Sequence, residues 1–476
     1  MPESTESDTI TPQRPRGGGA PTELGGRLAG LSIPRQVFVL AIWPLLEQLL
    51  GFAVAATDQV LAGRFDAAVR MDTLDALAVG GYFSWLLMIL QGAVGTGGLA
   101  LISRSTGAGD HGLARRALGQ ALVLGTAVGF VVMLVSLPLL PLLVRAFGLE
   151  GEAADLGVAY LRIVCLSAPF TGFLLAATAG LRGSGDTRTP FFIMTVVNLV
   201  NIGFSWLFTF GPEPFGGHGV QGLAAGTVVS WVVGAVLAGV VLAWSRADFR
   251  LERTHLKPHA ETLRRIIRVG LPSAVEVSGM WLINAWLLRL IASLPQEGSL
   301  GTHMIAIRIE SLSFLPGFAL GAASATLAGQ YLGLGDRSRA GRAALVAWIY
   351  GGVLMTVLGV LFLVFPAQLI GLVVPDSPVH VELGVPLLIL AGVSQPFLAT
   401  VLILKHTFRG TGDTRAVMRI SYTSMILFRV GAATLVYHTM EDGLFWIWVC
   451  MTLDLVVQAI VFSRRFFKGD WQLAKV

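Results

Sequence analysis

Long apolar stretches separated by short polar loops fill the chain from residue 36 onward. Twelve of these stretches reach about 20 residues or more, the length that an α-helix needs to cross the hydrocarbon core of a bilayer. The predicted spans are 36–62, 77–101, 117–144, 154–180, 189–211, 219–244, 266–293, 301–328, 343–371, 382–404, 416–437 and 443–466. Residues 1–35 are rich in Pro, Gly, Ser, Thr and Arg, and they are predicted to form a disordered tail. The pattern therefore predicts an all-α integral membrane protein.

A segment between the fourth and fifth predicted spans occurs twice in the chain. Residues 181–190 read LRGSGDTRTP, and 227 residues later positions 408–415 read FRGTGDTR. The loop TGAGD at 106–110 returns as LGLGD at 332–336, which is 226 residues on. Because the two pairs share nearly one offset and keep the same order, the chain is predicted to be an internal duplication of two six-helix halves.

Basic residues are distributed unevenly between the two sets of loops. With the N terminus inside, 27 of the 34 Lys and Arg residues fall in the tail, in the inner loops and the span ends next to them, and at the C-terminal end. Three fall in the outer loops, and four fall deeper inside the spans. Basic residues concentrate on the cytoplasmic side of membrane proteins. The chain is therefore predicted to be a multi-pass protein of the plasma (inner) membrane with both termini in the cytoplasm.

The duplication and the charge pattern together predict four regions. These are a cytoplasmic tail at 1–35, an N-terminal lobe of helices 1–6 at 36–244, a cytoplasmic linker at 245–265, and a C-terminal lobe of helices 7–12 with a short tail at 266–476. Composition agrees with a membrane protein, because 54% of the residues are hydrophobic and only 13% are charged. A soluble globular protein has about 25% charged residues.

Two tandem bundles suit a transporter in which one bundle rocks against the other. The sequence contains no G-x-x-x-x-G-K-[ST] phosphate loop and no soluble domain to hydrolyse ATP. A coupled ion is therefore the expected source of energy.

Several motifs along the chain resemble those of one transporter family. They are Pro44 through Thr57-Asp58, Gly107–Asp110, Leu181–Pro190 followed by Asn201, Gly270–Pro272 with Glu276, His303–Ser313 and Asp454–Arg465. On these motifs the chain resembles the multidrug and toxic compound extrusion (MATE) transporters. The resemblance implies two pseudo-symmetric six-helix bundles around a central cleft, and export of cationic or amphipathic organic compounds in exchange for H⁺ or Na⁺.

The expected partners are small organic cations, H⁺ or Na⁺, and the lipid bilayer. We expect no nucleic acid, no metal site and no cofactor, with Na⁺ entering only as an alternative coupling ion. The expected oligomeric state is a monomer.

Placing an ionisable side chain inside a membrane span costs about 2.5–3.5 kcal/mol on insertion scales, so each such residue is a candidate for a functional or structural role. Glu47 and Asp58 in span 1 are eleven residues apart and share a helix face, because that spacing is about three turns. The resemblance assigns the essential acid of the N-terminal lobe to Asp58 and places Asn201 in the same pocket. Many relatives carry a second Asp where this chain has Ser205. Glu47 is a candidate for the missing acid, and the alternative is a structural hydrogen bond to a neighbouring helix.

The second half carries its own buried charges. Glu276 lies one turn beyond a proline in span 7 and is a candidate for substrate binding or for ion coupling in the C-terminal lobe. Arg308 and Glu310 in span 8, with Arg429 and Asp454 in spans 11 and 12, are equal in number and opposite in sign. They are predicted to be structural charge pairs.

Two other functions stay open at this point. A flippase for a lipid-linked precursor could share the helical plan, but its cavity would be expected to carry several arginines for phosphate. A membrane-embedded enzyme would need a reactive cluster such as Ser/His or His/Asp on inner helix faces. No such cluster occurs at a suggestive spacing, so the chain is not expected to be an enzyme.

Overall fold

A computed structural model describes residues 23–64, 67–244, 250–375 and 377–476, apart from the side chains of 55–60, 62 and 67–71. In these ranges all regular secondary structure is helical. Eleven helices are long and apolar enough to cross a membrane, and one pair of helices that meet at 52° forms a twelfth span. The predicted all-α architecture with twelve spans is confirmed.

The twelve spanning segments are numbered α1–α12 in chain order. In the first half they are α1 (Ile33–Ala62), α2 (Ala67–Gly107), α3 (His111–Ala146), α4 (Gly151–Cys165 and Ala168–Gly183), α5 (Arg188–Phe210) and α6 (Gly219–Trp244). In the second half they are α7 (Ala260–Ala292), α8 (Ser299–Gly333), α9 (Arg337–Val364), α10 (Pro378–Gly410), α11 (Thr414–Thr439) and α12 (Gly443–Lys468). Short helices occur at Gly26–Leu28, Arg253–Leu256, Pro366–Val373 and Asp470–Leu473.

Two predicted spans are interrupted, each next to a proline. The fourth, predicted as 154–180, consists of two helices, and Pro169 lies in the first turn of the second one. The ninth, predicted as 343–371, ends as α9 at Val364, and Pro366 starts a separate short helix. Proline has no N–H to donate and its ring clashes with the preceding turn, so a helix breaks or bends in front of it.

The duplication reappears in the backbone of the loops. Gly185 and its repeat Gly412 both have a φ of +93°, and Gly109 and its repeat Gly335 have φ values of +72° and +83°. Only glycine adopts such angles without strain. The repeated motifs therefore form turns of the same type at the ends of corresponding helices. We call the end of the helices that carries these turns the basic face.

The two halves close against each other at the basic face. The hydroxyl of Tyr331 on α8 donates to the Gln36 side chain on α1 at 2.7 Å. Gln330 donates to the carbonyl of Gly183 at the end of α4 at 3.0 Å. A side chain at Gly107, the last residue of α2, would collide with the Gln330 carbonyl, so the glycine permits this contact. At the level of these residues, α8 fills the space between α1, α2 and α4.

The linker and the C-terminal segment are both anchored at the basic face. The Gln120 amide on α3 donates to the carbonyls of His255 and Lys257, both at 2.8 Å. Trp471 is fully buried and stacks on Phe466, with 5.7 Å between the ring centroids. Three residues after Trp471, the Ala474 carbonyl accepts a hydrogen bond from Arg104 of α2 at 2.6 Å. The C-terminal segment thus reaches from the second half to the first.

Candidate functional site

A cavity of about 360 Å³ lies inside the first half, between α1, α2, α4, α5 and α6. Its lining residues are Gly51, Val54, Gly81, Ser84, Trp85, Leu87, Met88, Gln91, Tyr160, Val164, Ser167, Ala168, Thr171, Met194, Val197, Asn198, Asn201, Thr227, Ser230 and Trp231. Among these described residues there is no Lys, Arg, Asp or Glu. The lining combines three large aromatic rings with amide and hydroxyl groups.

Several polar atoms of this lining have no hydrogen-bond partner among the described residues. Asn201 donates from Nδ2 to the Thr227 hydroxyl at 3.2 Å, but its Oδ1 has no hydrogen-bond partner among the described residues. The same holds for Ser84 Oγ and Gln91 Oε1. Buried polar atoms normally have a partner, and a cluster of exceptions around one cavity indicates a place for a polar ligand or water.

Two of the predicted site residues lie on the helices that enclose this cavity. Ser205 on α5 is fully buried, and its hydroxyl donates to the Leu223 carbonyl on α6 at 3.4 Å. Asp58 belongs to α1, one helical turn beyond the lining residue Val54, but its side chain lies outside the described residues. The structure therefore places Asn201 in the cavity wall, places Ser205 in the α5–α6 contact, and makes no statement about the Asp58 carboxylate.

Glu47 is held by an arginine from the repeated turn. The Arg182 Nη2 atom lies 2.6 Å from Glu47 Oε1 and 2.8 Å from Oε2. The two side chains are 14% (Glu47) and 23% (Arg182) exposed. This ion pair joins the middle of α1 to the end of α4.

Glu276 makes the matching contact in the second half. Its Oε2 accepts from Arg409 at 2.5 Å, and Lys405 Nζ lies 3.3 Å from Oε1. The Ser421 hydroxyl on α11 also donates to Oε1, at 2.9 Å. The Glu276 side chain is only 2% exposed, so one buried carboxylate neutralises two cations at the end of α10.

The two ion pairs are related by the duplication. Arg409 is the repeat of Arg182, 227 residues on, and each arginine binds an acid about one turn beyond the proline in the first helix of its own half. The repeated arginines are visible in the sequence. The acids that they bind are distant in the chain, so the ion pairs were not predicted. The signal available was the repeated arginine, together with an acid three residues after Pro44 in one half and four residues after Pro272 in the other.

Of the four residues predicted to form structural charge pairs, two bind each other and the other two lie in different surroundings. Arg429 Nε donates to Asp454 Oδ2 at 2.7 Å, and Ser424 and Gln458 donate to Oδ1 at 2.5 and 2.7 Å. Glu310 is buried, with 6% exposure, whereas Arg308 two residues earlier is exposed. No hydrogen bond or ion pair joins the Glu310 carboxylate to another described residue.

The repeated aspartates at the basic face also differ. Asp186 accepts from the backbone N–H groups of Arg188 and Thr189, both at 3.1 Å, and thereby caps α5. Its repeat Asp413 instead binds Arg465 of α12 at 2.7 Å. Burial raises the pKa of Asp413, although the Arg465 guanidinium opposes that shift. Across the described residues, no three His, Cys, Asp or Glu side chains converge as a metal site would require.

Comparisons with known proteins agree on one family. The MatE family model matches residues 38–207 and 272–434, which is more than half of the chain and falls once on each half. The probable multidrug resistance protein NorM of Thermotoga maritima is 26% identical over 441 residues, covering 92% of this chain and 93% of that protein.

Solved structures give the same fold. A MOP superfamily transporter from Pyrococcus furiosus, described as having a binding pocket of reverse polarity that suggests a different function, superposes with a TM-score of 0.86 at 21% identity. The superposition covers 94% of this chain and 98% of that one. A multidrug resistance MATE transporter of the same superfamily, solved in an outward-facing conformation, has a TM-score of 0.83 at 21% identity, covering 92% and 97%.

Proposed function

The chain belongs to the MatE family of multidrug efflux transporters, and on this premise we propose that it is a secondary active antiporter. It exports small cationic or amphipathic organic compounds in exchange for an ion, by alternating access of its two halves. Family membership makes the chain a membrane transporter and not an enzyme, as the sequence predicted.

The cavity of the first half, whose described lining residues carry no charge, is the observation that supports this proposal most strongly. Trp85, Tyr160 and Trp231 provide aromatic faces, which attract organic cations. Asn201 and Gln91 provide amide groups with unpaired oxygens, and such oxygens suit a positively charged or hydrogen-bonding ligand. A flippase for a phosphate-bearing precursor would require arginines instead, and the described lining contains none. We therefore favour export of organic compounds over lipid flipping.

We propose that the coupling ion is a proton and that Asp58 binds it. Asp58 lies on the helix that borders the cavity, one turn from a lining residue. Asn201, whose amide oxygen has no partner among the described residues, is the proposed partner of the protonated acid. Ser205 is buried between α5 and α6, so we give it a packing role only.

The basic face is proposed to face the cytoplasm of a cell bounded by the plasma membrane, because basic loops stay on that side. The contacts of Tyr331, Gln330 and Gly107 then close the cytoplasmic end of the transporter. The structure would thus represent an outward-facing state, in which the pathway is sealed from the cytoplasm.

Transport in proteoliposomes tests the proposal directly. The purified protein is reconstituted, and uptake or release of ethidium is followed under a proton gradient and, separately, under a sodium gradient. We expect transport under the proton gradient and a much smaller rate under the sodium gradient. Equal rates with and without either gradient would contradict ion coupling, and movement of a phosphate-bearing lipid analogue without any ethidium transport would favour the flippase.

A further inference from the structure

The Glu310 carboxylate is the one acid in the interior of the second half that no described residue binds. Its side chain is 6% exposed, and no donor from the described ranges reaches it. Asp454, by contrast, accepts hydrogen bonds from Arg429, Ser424 and Gln458. An isolated buried carboxylate costs several kcal/mol, and binding a proton relieves that cost. Glu310 therefore has the environment of a neutral acid in this conformation.

Arg429 lies on a helix that shares a buried cluster with the part of α8 next to this acid, because Ala433 of α11 and Ala306 and Ile309 of α8 belong to that cluster. The Arg429 guanidinium is already bound to Asp454 through Nε and to the Asn284 side chain through Nη1, at 2.7 and 3.1 Å. Glu310 and Asp454 each lie eleven residues from the start of their helices, and Arg429 lies ten residues from the end of α11. All three are thus about 15 Å from the face opposite the basic face.

The backbone that carries Arg429 is itself irregular. Residues Ile426–Ala432 of α11 form a π-helix between two α-helical segments. Single π-helical turns contain one residue more than the α-helical ladder accommodates, and they occur frequently at functional sites. A shift of the turn between π and α geometry would rotate the Arg429 side chain relative to Asp454.

Other ionisable groups on α7, α8 and α10 already have partners. His303 on α8 accepts from the Trp448 indole at 3.0 Å. Glu276 on α7 and Lys405 on α10 form an ion pair, and His406 bonds to the Leu402 carbonyl. Arg429 lies on a helix that shares a buried cluster with the Glu310 region of α8, and its present partner is Asp454.

From this arrangement we propose that Glu310 is a second proton-binding site, located in the C-terminal half. When the proton leaves, Arg429 moves from Asp454 toward the Glu310 carboxylate through the π-helical turn of α11. Binding of a proton restores the Arg429–Asp454 pair seen here. The proposal rests on the proposed function, because an antiporter uses such a switch, but proton binding can be measured without any transport.

Infrared difference spectroscopy between mildly acidic and mildly alkaline pH tests the site on the purified protein. The test uses the Asp58→Asn background, so that the proton site proposed in the first half contributes no band. In this background we expect a deuterium-sensitive band of a protonated carboxyl group that disappears on alkalinisation. Adding Glu310→Gln should remove this band, whereas adding Glu382→Gln, which makes the same chemical change at an exposed position of α10, should retain it. Absence of the band in the Asp58→Asn protein, or its persistence after Glu310→Gln is added, would overturn the proposal.

A variant that leaves Glu310 in place gives the second readout. Asp454→Asn frees Arg429 from its present partner, so the arginine can neutralise the Glu310 anion. The proton affinity of Glu310, read from the pH dependence of the same band, should fall at least tenfold, or about 1.4 kcal/mol. An unchanged pH dependence of the band in Asp454→Asn would refute the movement of Arg429. This readout remains usable even where Glu310→Gln fails to fold. Loss of ethidium transport with an intact Glu310 band would count against the proposed function alone.

Discussion

Removing the Glu276 carboxylate is expected to destabilise the protein more than removing Glu47, although the two acids form the corresponding ion pairs of the two halves. Glu276→Gln leaves Arg409 and Lys405 without a counter-ion, and their side chains are only 18% and 11% exposed. Breaking a buried ion pair by removing one partner costs about 3–5 kcal/mol. We therefore expect Glu276→Gln to lower the free energy of unfolding by about 4 kcal/mol.

The matched change in the first half should have a smaller effect. Glu47→Gln leaves one cation, Arg182, without its counter-ion. The Arg182 side chain is 23% exposed, so solvent can screen its charge. A hydrogen bond to a charged group contributes about 1.5–3 kcal/mol, so we expect a loss of about 2 kcal/mol. Replacing both partners with uncharged side chains, as in Glu276→Gln with Arg409→Met, should recover part of the loss, because an apolar pair needs no counter-ion.

Equilibrium unfolding in mixed detergent micelles, followed by tryptophan fluorescence, measures these free energies. Glu382→Gln, at an exposed position, serves as the control and should stay within about 0.5 kcal/mol of the wild type. A Glu276→Gln variant as stable as the control would show that the acid does not neutralise the two cations. Equal losses for Glu47→Gln and Glu276→Gln would contradict the assignment of different burial and charge to the two pairs.

Two further predictions concern the ends of the helices. A single cysteine introduced at Glu213 should react with an impermeant reagent added to intact cells, and one introduced at Arg253 should not, because the two loops lie on opposite faces of the membrane. Labelling at position 253 from outside would contradict the proposed topology. Trp471→Ala should destabilise the protein by about 3–5 kcal/mol through loss of a fully buried ring, whereas Trp244→Ala, at a ring that is 84% exposed, should not. Equal melting temperatures of the two variants would contradict the anchoring role of Trp471.

The helical plan could be predicted because apolar length is a local property of the sequence. Twelve stretches of membrane length appear as twelve spans, and the repeated turns keep the same backbone angles. The ends of the helices were harder to predict from apolar length. For example, α2 covers residues 67–107, whereas the predicted span covers only its apolar part, 77–101. Apolar length also misses breaks such as the one before Pro169, where one stretch contains two helices that meet at an angle.

The partners of the buried charges could not be predicted, because they depend on which helices touch. Glu47 and Arg182 are 135 residues apart in the chain, and Glu276 and Arg409 are 133 apart. The arrangement of Arg308, Glu310, Arg429 and Asp454 illustrates the limit. Equal numbers of opposite charges predicted two pairs, but the structure joins Arg429 to Asp454 and leaves Glu310 inside without a described partner. Helix rotation decides such pairings, and the sequence pattern does not specify it closely enough.

Ethidium efflux from proteoliposomes driven by a pH gradient shows whether Asp58 carries the coupled proton. Wild type, Asp58→Asn and Ser205→Ala are compared at equal amounts of correctly inserted protein. We expect Asp58→Asn to abolish proton-driven efflux while the protein still folds, because Asn keeps the volume but cannot release a proton. Ser205→Ala should retain most of the rate. Wild-type efflux from Asp58→Asn would contradict the account and remove Asp58 from the mechanism.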